Sequence, residues 1–181
     1  MPHPSRPSPR DQRREPFGSG SPPEFTSRTV SVTRVSRMVA GGRRFRFRVL
    51  VAVGNGKGAV GIGLGKGQNV AQAVEKATRR ANASRVIVPR RKGTIPREIL
   101  IKKGTARIIM RPARPGHGIV AGGVIRTLCE LSGITDISAK ILSRSTNQIV
   151  NARATIAGFQ KLSERVAVAE KRRVKPITNN P

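Results

Sequence analysis

The chain of 181 residues carries 36 Lys and Arg against 9 Asp and Glu, a formal net charge of +27, with 36% hydrophobic residues, five Phe and no Trp or Tyr. A charge of one sign on that scale repels itself in a compact chain and calls for a polyanion, which excludes an acidic small-molecule enzyme, while the aliphatic make-up of the core excludes an aromatic ligand cage. The single Cys129 forms no internal disulfide or cysteine-based zinc site, no apolar run nears the ~20 residues of a membrane span, and the Pro- and Arg-rich start has no apolar stretch of a secretory signal, so a reducing cytosol is the expected compartment.

Residues 1–28 are Pro-rich with little that is apolar, and are expected to form a disordered, solvated tail. Val30, Val32 and Val35 mark a strand from Thr29 to Ala40, broken by Gly41-Gly42. Arg43 to Val53 is the clearest strand. Phe45, Phe47, Val49, Val51 and Val53 alternate with Arg44, Arg46 and Arg48, which predicts an antiparallel sheet covered on one side. Phe45 and Phe47 could stack on bases, but that alternation favours a core role for both. Gly54 to Gly58, with Lys57, is turn chemistry, and a short strand from Ala59 to Gly63 follows. Gly63-Leu64-Gly65-Lys66-Gly67 then leads to a helix that Asn69 can cap. Val70, Ala73, Val74, Ala77 and Ala81 form its apolar stripe, and Lys76, Arg79 and Arg80 point away.

Arg85 to Val88 reads as a strand ended by Pro89-Arg90-Arg91-Lys92-Gly93. Arg97 to Lys103 and Thr105 to Arg111 read as a hairpin. Pro115-Gly116-His117-Gly118 is expected to open a helix holding Ile119, Val120, Val124, Ile125, Leu128 and Leu131, closed by Gly133. Asp136 to Leu142 is a strand. Ser145 or Thr146 is expected to cap a last helix with Ile149, Ala152, Ile156 and Phe159 on one face, and a basic tail is expected over 163–181. The fold class is therefore α+β in two small domains: 29–84, a three-stranded antiparallel sheet plus helix, and 85–162, a mixed α/β domain with two helices on a sheet.

The charge distribution carries the function. Residues 31–112 hold 20 Lys or Arg and two acids, Glu75 and Glu98. The cations lie on solvent faces of elements whose other faces are apolar, the footprint of a folded nucleic-acid binder. At the first hairpin tip, Arg37 to Arg44, cations on both stems flank Gly41 and Gly42. A phosphate-facing tip and an ordinary tight turn explain those glycines equally well. Gly56-Lys57-Gly58-Ala59-Val60-Gly61 matches the dinucleotide pattern but leads into a strand. Gly116-His117-Gly118-Ile119-Val120-Ala121 matches its variant form but lacks the acidic residue about 20 positions on. Free amides at that helix start would instead hold an RNA phosphate. No acids are spaced for general acid–base chemistry, and Cys129 sits on the apolar side of its helix. No enzyme activity, cofactor or metal site is expected.

Four runs in order resemble the bacterial small-subunit ribosomal protein S5 family: Val35 to Phe47, Val53 to Gly67, Arg111 to Gly123 and Ser143 to Gly158, together spanning about residues 29–162. The resemblance implies a first domain similar to a double-stranded-RNA-binding fold. It also implies a seat on small-subunit rRNA between body and head, contacts with ribosomal proteins S-four and S-eight, a place beside the path by which mRNA enters, and support of translational accuracy. In this family the hairpin tip is linked to the spectinomycin site. The expected RNA contacts are Arg37, Gly41, Gly42, Arg43, Arg44, Arg46, Arg48, Lys57, Lys66, Arg79, Arg80, Arg90, Arg91, Lys92, Arg114, Gly116, His117 and Gly118. Arg126, on the polar side of its helix, is the expected protein contact. A free-standing RNA- or DNA-binding regulator is the alternative that charge alone leaves open.

Overall fold

A computed structural model describes residues 25–174, with side chains described through Val168. Residues 1–24 of the expected disordered tail, and 175–181 of the expected basic tail, lie outside the described residues, whereas 26–28, also expected in the disordered tail, are strand.

The first sheet has the order β1-β2-β3-β4, all antiparallel, from β1 (Thr26–Val39), β2 (Gly42–Gly54), β3 (Ala59–Gly67) and β4 (Val86–Ile87). The three expected strands gain β4, because Val86 and Ile87 pair back onto Val60 and Ala59. β2 pairs with β3 only from Phe47 onward, so Val35–Val39 and Gly42–Arg46 project beyond the sheet as a two-stranded ribbon, with Arg34 at its base opposite Phe47.

Helix α1 (Val70–Ala83) covers one face of this sheet. Asn69 occupies its N-cap position, but its side chain makes no capping hydrogen bond. Ala73, Ala77 and Ala81 pack on Val49, Val51 and Val53 in a small core. β3 approaches α1 closely enough that a Cβ on Gly61, Gly63 or Gly65 would stand well under 3.0 Å from the carbonyl oxygen of Ala81, Ala77 or Ala73 respectively. Gly63 to Gly67 is thus the second half of β3, flattened for helix packing, and not a loop leading into the helix.

The other face is covered as well, over half its length. Leu50 and Ala52 on β2 and Val60 on β3 enter the larger core with Ile125, Leu128 and Phe159. The one-sided sheet expected from the alternation holds only as far as Arg48. Beyond it Val49 to Val53 is an unbroken apolar run, the pattern of a strand buried on both faces.

The second sheet has the order β5-β6-β8-β7, from β5 (Ile99–Lys103), β6 (Ala106–Pro112), β7 (Ile119–Val120) and β8 (Ile137–Ile141), with only β7 and β8 parallel. Helices α2 (Gly123–Ser132) and α3 (Gln148–Val174) contribute Ile125, Leu128, Ala152 and Phe159 to its core. The start of α3 is capped by Asn147, whose Oδ1 accepts from the Ile149 amide at 3.1 Å, and not by Ser145 or Thr146. At its other end α3 runs past Ser163, where the tail was expected. Residues 163–174 contain no Gly or Pro and are rich in Ala, Glu, Lys and Arg, all favourable in helices.

Candidate nucleic-acid interface

The β1–β2 register sorts the hairpin arginines onto two faces. Arg37 stands opposite Arg44, Val35 opposite Arg46 and Thr33 opposite Arg48, and across the next pairing Arg48 stands opposite Lys66. Directly opposed side chains share a face, so Arg37, Arg44, Arg46, Arg48 and Lys66 form one continuous cationic face. Arg37, Arg44, Arg46 and Lys66 line a groove of about 940 Å³ that reaches to Gln68 and that Arg43 and Phe45 also border. Like charges in cross-strand positions destabilise a sheet, and none of the ion pairs among the described residues involves these five cations. Arg48 adds a second demand: its Nε is buried without a hydrogen-bond partner among the described residues. A buried donor of that kind costs stability. The arrangement calls for a row of anionic oxygens.

Arg43 lies on the opposite face, with Arg34, Met38 and Phe45. Phe45 departs from the core role expected of it. It is 46% exposed and lies beneath the Arg34 guanidinium, which is 3.7 Å from the ring centroid. β3 stops short of it, so no third strand or helix covers the ring. At the tip, Gly42 takes a positive φ of 104° and Gly41 does not, and a Cβ on either would meet nothing within 4 Å.

The remaining expected RNA contacts fall into three groups. Arg79 and Arg80 lie on α1, across the sheet from Arg44 and Arg46, and are not part of the cationic face. Arg79 pairs with Glu75 at 3.3 Å, and Arg80 donates to the Leu64 carbonyl at 2.7 Å. Arg90 is a clamp: its Nη1 donates to the carbonyls of Gly56 and Gly133, at 3.1 and 3.0 Å, joining the turn after β2 to the end of α2. Lys57, Arg91, Lys92 and Arg114 are exposed on loops. Thr94 and Ala113 tie two of those loops together, through an amide-to-hydroxyl bond of 3.3 Å.

Gly116, His117 and Gly118 do not open a helix. Ile119 and Val120 form β7, and α2 begins only at Gly123. The Gly118 amide donates to Asp136 Oδ1 at 2.9 Å, and the His117 amide to the Arg114 carbonyl at 3.1 Å. The Gly118 amide and the Thr135 hydroxyl hold the Asp136 carboxyl below its ordinary range, with the Gly116 amide adding to them. The Gly118 amide thus already has an anion, supplied by the chain itself, and is not free for an RNA phosphate.

Arg126 is engaged with its own helix. Its Nε donates to Glu130 Oε1 at 3.0 Å, and Arg28 from β1 reaches the other carboxylate oxygen. These hydrogen bonds, that of Arg126 first, hold the Glu130 carboxyl below its ordinary range. Cys129 is fully buried, and desolvation, with Glu130 beside it, pushes its thiol up to about 12. It is a core residue and no nucleophile at neutral pH. Among the described residues no cluster of His, Cys, Asp and Glu could hold a metal ion, and no helix is long and apolar enough to cross a membrane.

Two family models cover most of the chain: ribosomal protein S5, N-terminal domain, over residues 25–89, and ribosomal protein S5, C-terminal domain, over residues 101–172. The small ribosomal subunit protein uS5 of Thermus thermophilus is 43% identical over 150 residues, 83% of this chain and 92% of its own length. That of Lawsonia intracellularis is 44% identical over 139 residues, 76% of this chain and 84% of its own length. The chain belongs to the ribosomal protein S5 family.

Proposed function

We propose that this member of the S5 family is an rRNA-binding constituent of the small ribosomal subunit, located with it in the cytoplasm and acting without catalysis. The observation that carries the reading is the cationic face of Arg37, Arg44, Arg46, Arg48 and Lys66, in which like charges are aligned across strands with no acid among them. A phosphate backbone relieves that repulsion. Phosphate contacts position a protein on RNA and make its affinity salt-dependent. Lys57, Arg91, Lys92 and Arg114 extend the contact onto the loops, and Arg79 offers a separate point on α1. Arg80 and Arg90 serve the fold first.

In this reading the N-terminal sheet, from Thr26 to Ile87, holds RNA, and the C-terminal sheet, from Ile99 to Ile141, presents α2 to neighbouring proteins. The finer placement follows the family resemblance: a seat between head and body, beside the path of incoming mRNA, touching ribosomal proteins S-four and S-eight and supporting accuracy. The Arg28–Glu130–Arg126 cluster gives α2 a charged surface suited to a protein contact.

Sedimentation of a cell lysate tests the assignment. Near-complete co-migration with the small subunit at moderate salt is expected. A large free or nucleoid-bound pool would favour a free-standing RNA- or DNA-binding regulator. Arg126→Leu is expected to alter miscoding in a reporter assay with subunit assembly intact, and unchanged miscoding removes Arg126 from the protein contact.

A further inference from the structure

We propose that the face of the β1–β2 ribbon opposite the cationic row is a stacking platform for an unpaired RNA base, built from Phe45 and the Arg34 guanidinium above it. The proposal rests on the RNA-binding reading and adds the chemistry of the second face. Three observations carry it. Phe45 is a half-exposed aromatic in a chain with only five Phe and no Trp or Tyr, and it lies where β3 no longer pairs with β2. Its ring supports a guanidinium at 3.7 Å from the centroid, and guanidinium planes and aromatic rings are the surfaces on which proteins stack splayed bases. The same face carries Arg43 next to the tip and Met38, 70% exposed, with no acid among them. A cation, an aromatic ring and an adaptable thioether on one narrow ribbon complement a nucleotide, whose phosphate and base need both kinds of contact. A folded protein partner would instead call for an apolar patch wider than one ribbon face. The two faces then divide the work: Arg37, Arg44 and Arg46 take backbone, and Phe45 takes a base.

The test uses the full chain with two probes, a single-stranded RNA 12-mer carrying 2-aminopurine and a duplex RNA of equal length. With Phe45→Leu, affinity for the single strand is expected to fall about 5- to 150-fold, the span measured for losing one base–aromatic stack, with its salt dependence unchanged. Affinity for the duplex should stay within twofold. Phe45→Trp should retain single-strand affinity and quench the 2-aminopurine. Arg44→Gln, on the other face, should reduce the salt slope by about 0.7 on the single strand and about 0.9 on the duplex. Equal loss on both RNAs with Phe45→Leu, or no loss on either, overturns the stacking platform while leaving the phosphate face standing. Salt-independent binding of both RNAs by the unsubstituted chain overturns the RNA-binding reading and the platform with it.

Discussion

In β3 the glycines at 61, 63 and 65 lie beneath the backbone of α1, where a Cβ would collide with a helix carbonyl, whereas at the ribbon tip a Cβ on Gly41 or Gly42 would meet nothing within 4 Å. Both segments are glycine-rich and both sit in the first sheet. In β3 glycine lets a helix approach, and the helix answers with Ala73, Ala77 and Ala81 one turn apart. At the tip glycine serves backbone conformation at one residue only, Gly42, with its φ of 104°. The loop at Gly116 and Gly118 is a third case: both have positive φ, and their amides face a carboxylate. Glycine content alone does not distinguish packing, turning and anion binding. The partner of each glycine does.

Substitution separates these roles. The largest effect is expected for Gly63→Ala, which forces a methyl against the Ala77 carbonyl at the centre of the α1–β3 contact. Overpacking there should cost about 3 kcal/mol, a fall in melting temperature of roughly 10 °C for a chain of this size. A melting temperature within 2 °C of the parent, an approximate threshold of about 1 kcal/mol, would mean that α1 moves away freely and that the close approach is not required.

Gly42→Val comes next. A β-branched residue at that φ strains the turn by about 1–3 kcal/mol, confined to the ribbon because Phe47, Val49 and Val51 anchor its base. If the tip borders the spectinomycin site, small subunits carrying this variant should bind the drug more weakly with bulk rRNA affinity intact. A lowered melting temperature with unchanged drug affinity would reduce Gly42 to a turn residue.

Asp136→Asn probes the third loop. The Asp136 carboxyl is held below its ordinary range, so its contribution is full above the unfolded-chain pKa of about 4 and disappears as pH falls through the depressed folded value. The parent protein should lose stability from this group only below about pH 4. The variant should be less stable near neutrality and show a flatter acid limb in melting temperature between pH 3 and 6. Parallel acid limbs would mean that the Gly116–Gly118 loop does not depend on the carboxylate. The smallest effect is expected for Gly41→Val, without a positive φ or a close neighbour: a stability change within about 0.5 kcal/mol, measured beside Gly42→Val so that the adjacent pair is its own control.

The ribbon and the first sheet were legible because their signals are local. Alternation from Arg44 to Val49 set the register of faces, and the period-four alanines of α1 set the helix stripe. The burial of Leu50 and Ala52 was also on view, in the unbroken run Val49 to Val53, but it depends on α2 arriving from 70 residues away. Gly116 to Gly118 misled for a related reason. Asp136, 18 residues beyond Gly118, consumes an amide that a local reading leaves free. The cations were identified by composition, yet which of them share a face required the register. It joined Arg37 to Arg44 and Lys66 to Arg48, separated Arg43 from Arg44, and put Arg79 and Arg80 across the sheet. Arg34, on the face proposed for base stacking, was passed over. Its sequence signal is a cation on the strand facing Phe45, visible only once the pairing is known.

The place of β1 at the border of its sheet has a consequence for the protein before it meets RNA. A strand of 14 residues with one unpaired side is a template on which a second copy can add. This one carries Arg28, Arg34 and Arg37 and is interrupted by a bulge between Thr29 and Ser31, two of the devices by which exposed borders resist strand addition. The charge that attracts phosphate therefore also acts as a gatekeeper against self-pairing. Purified chain freed of RNA and held in high salt, where that repulsion is screened, should be the form most prone to aggregate, with β1 as the growing border.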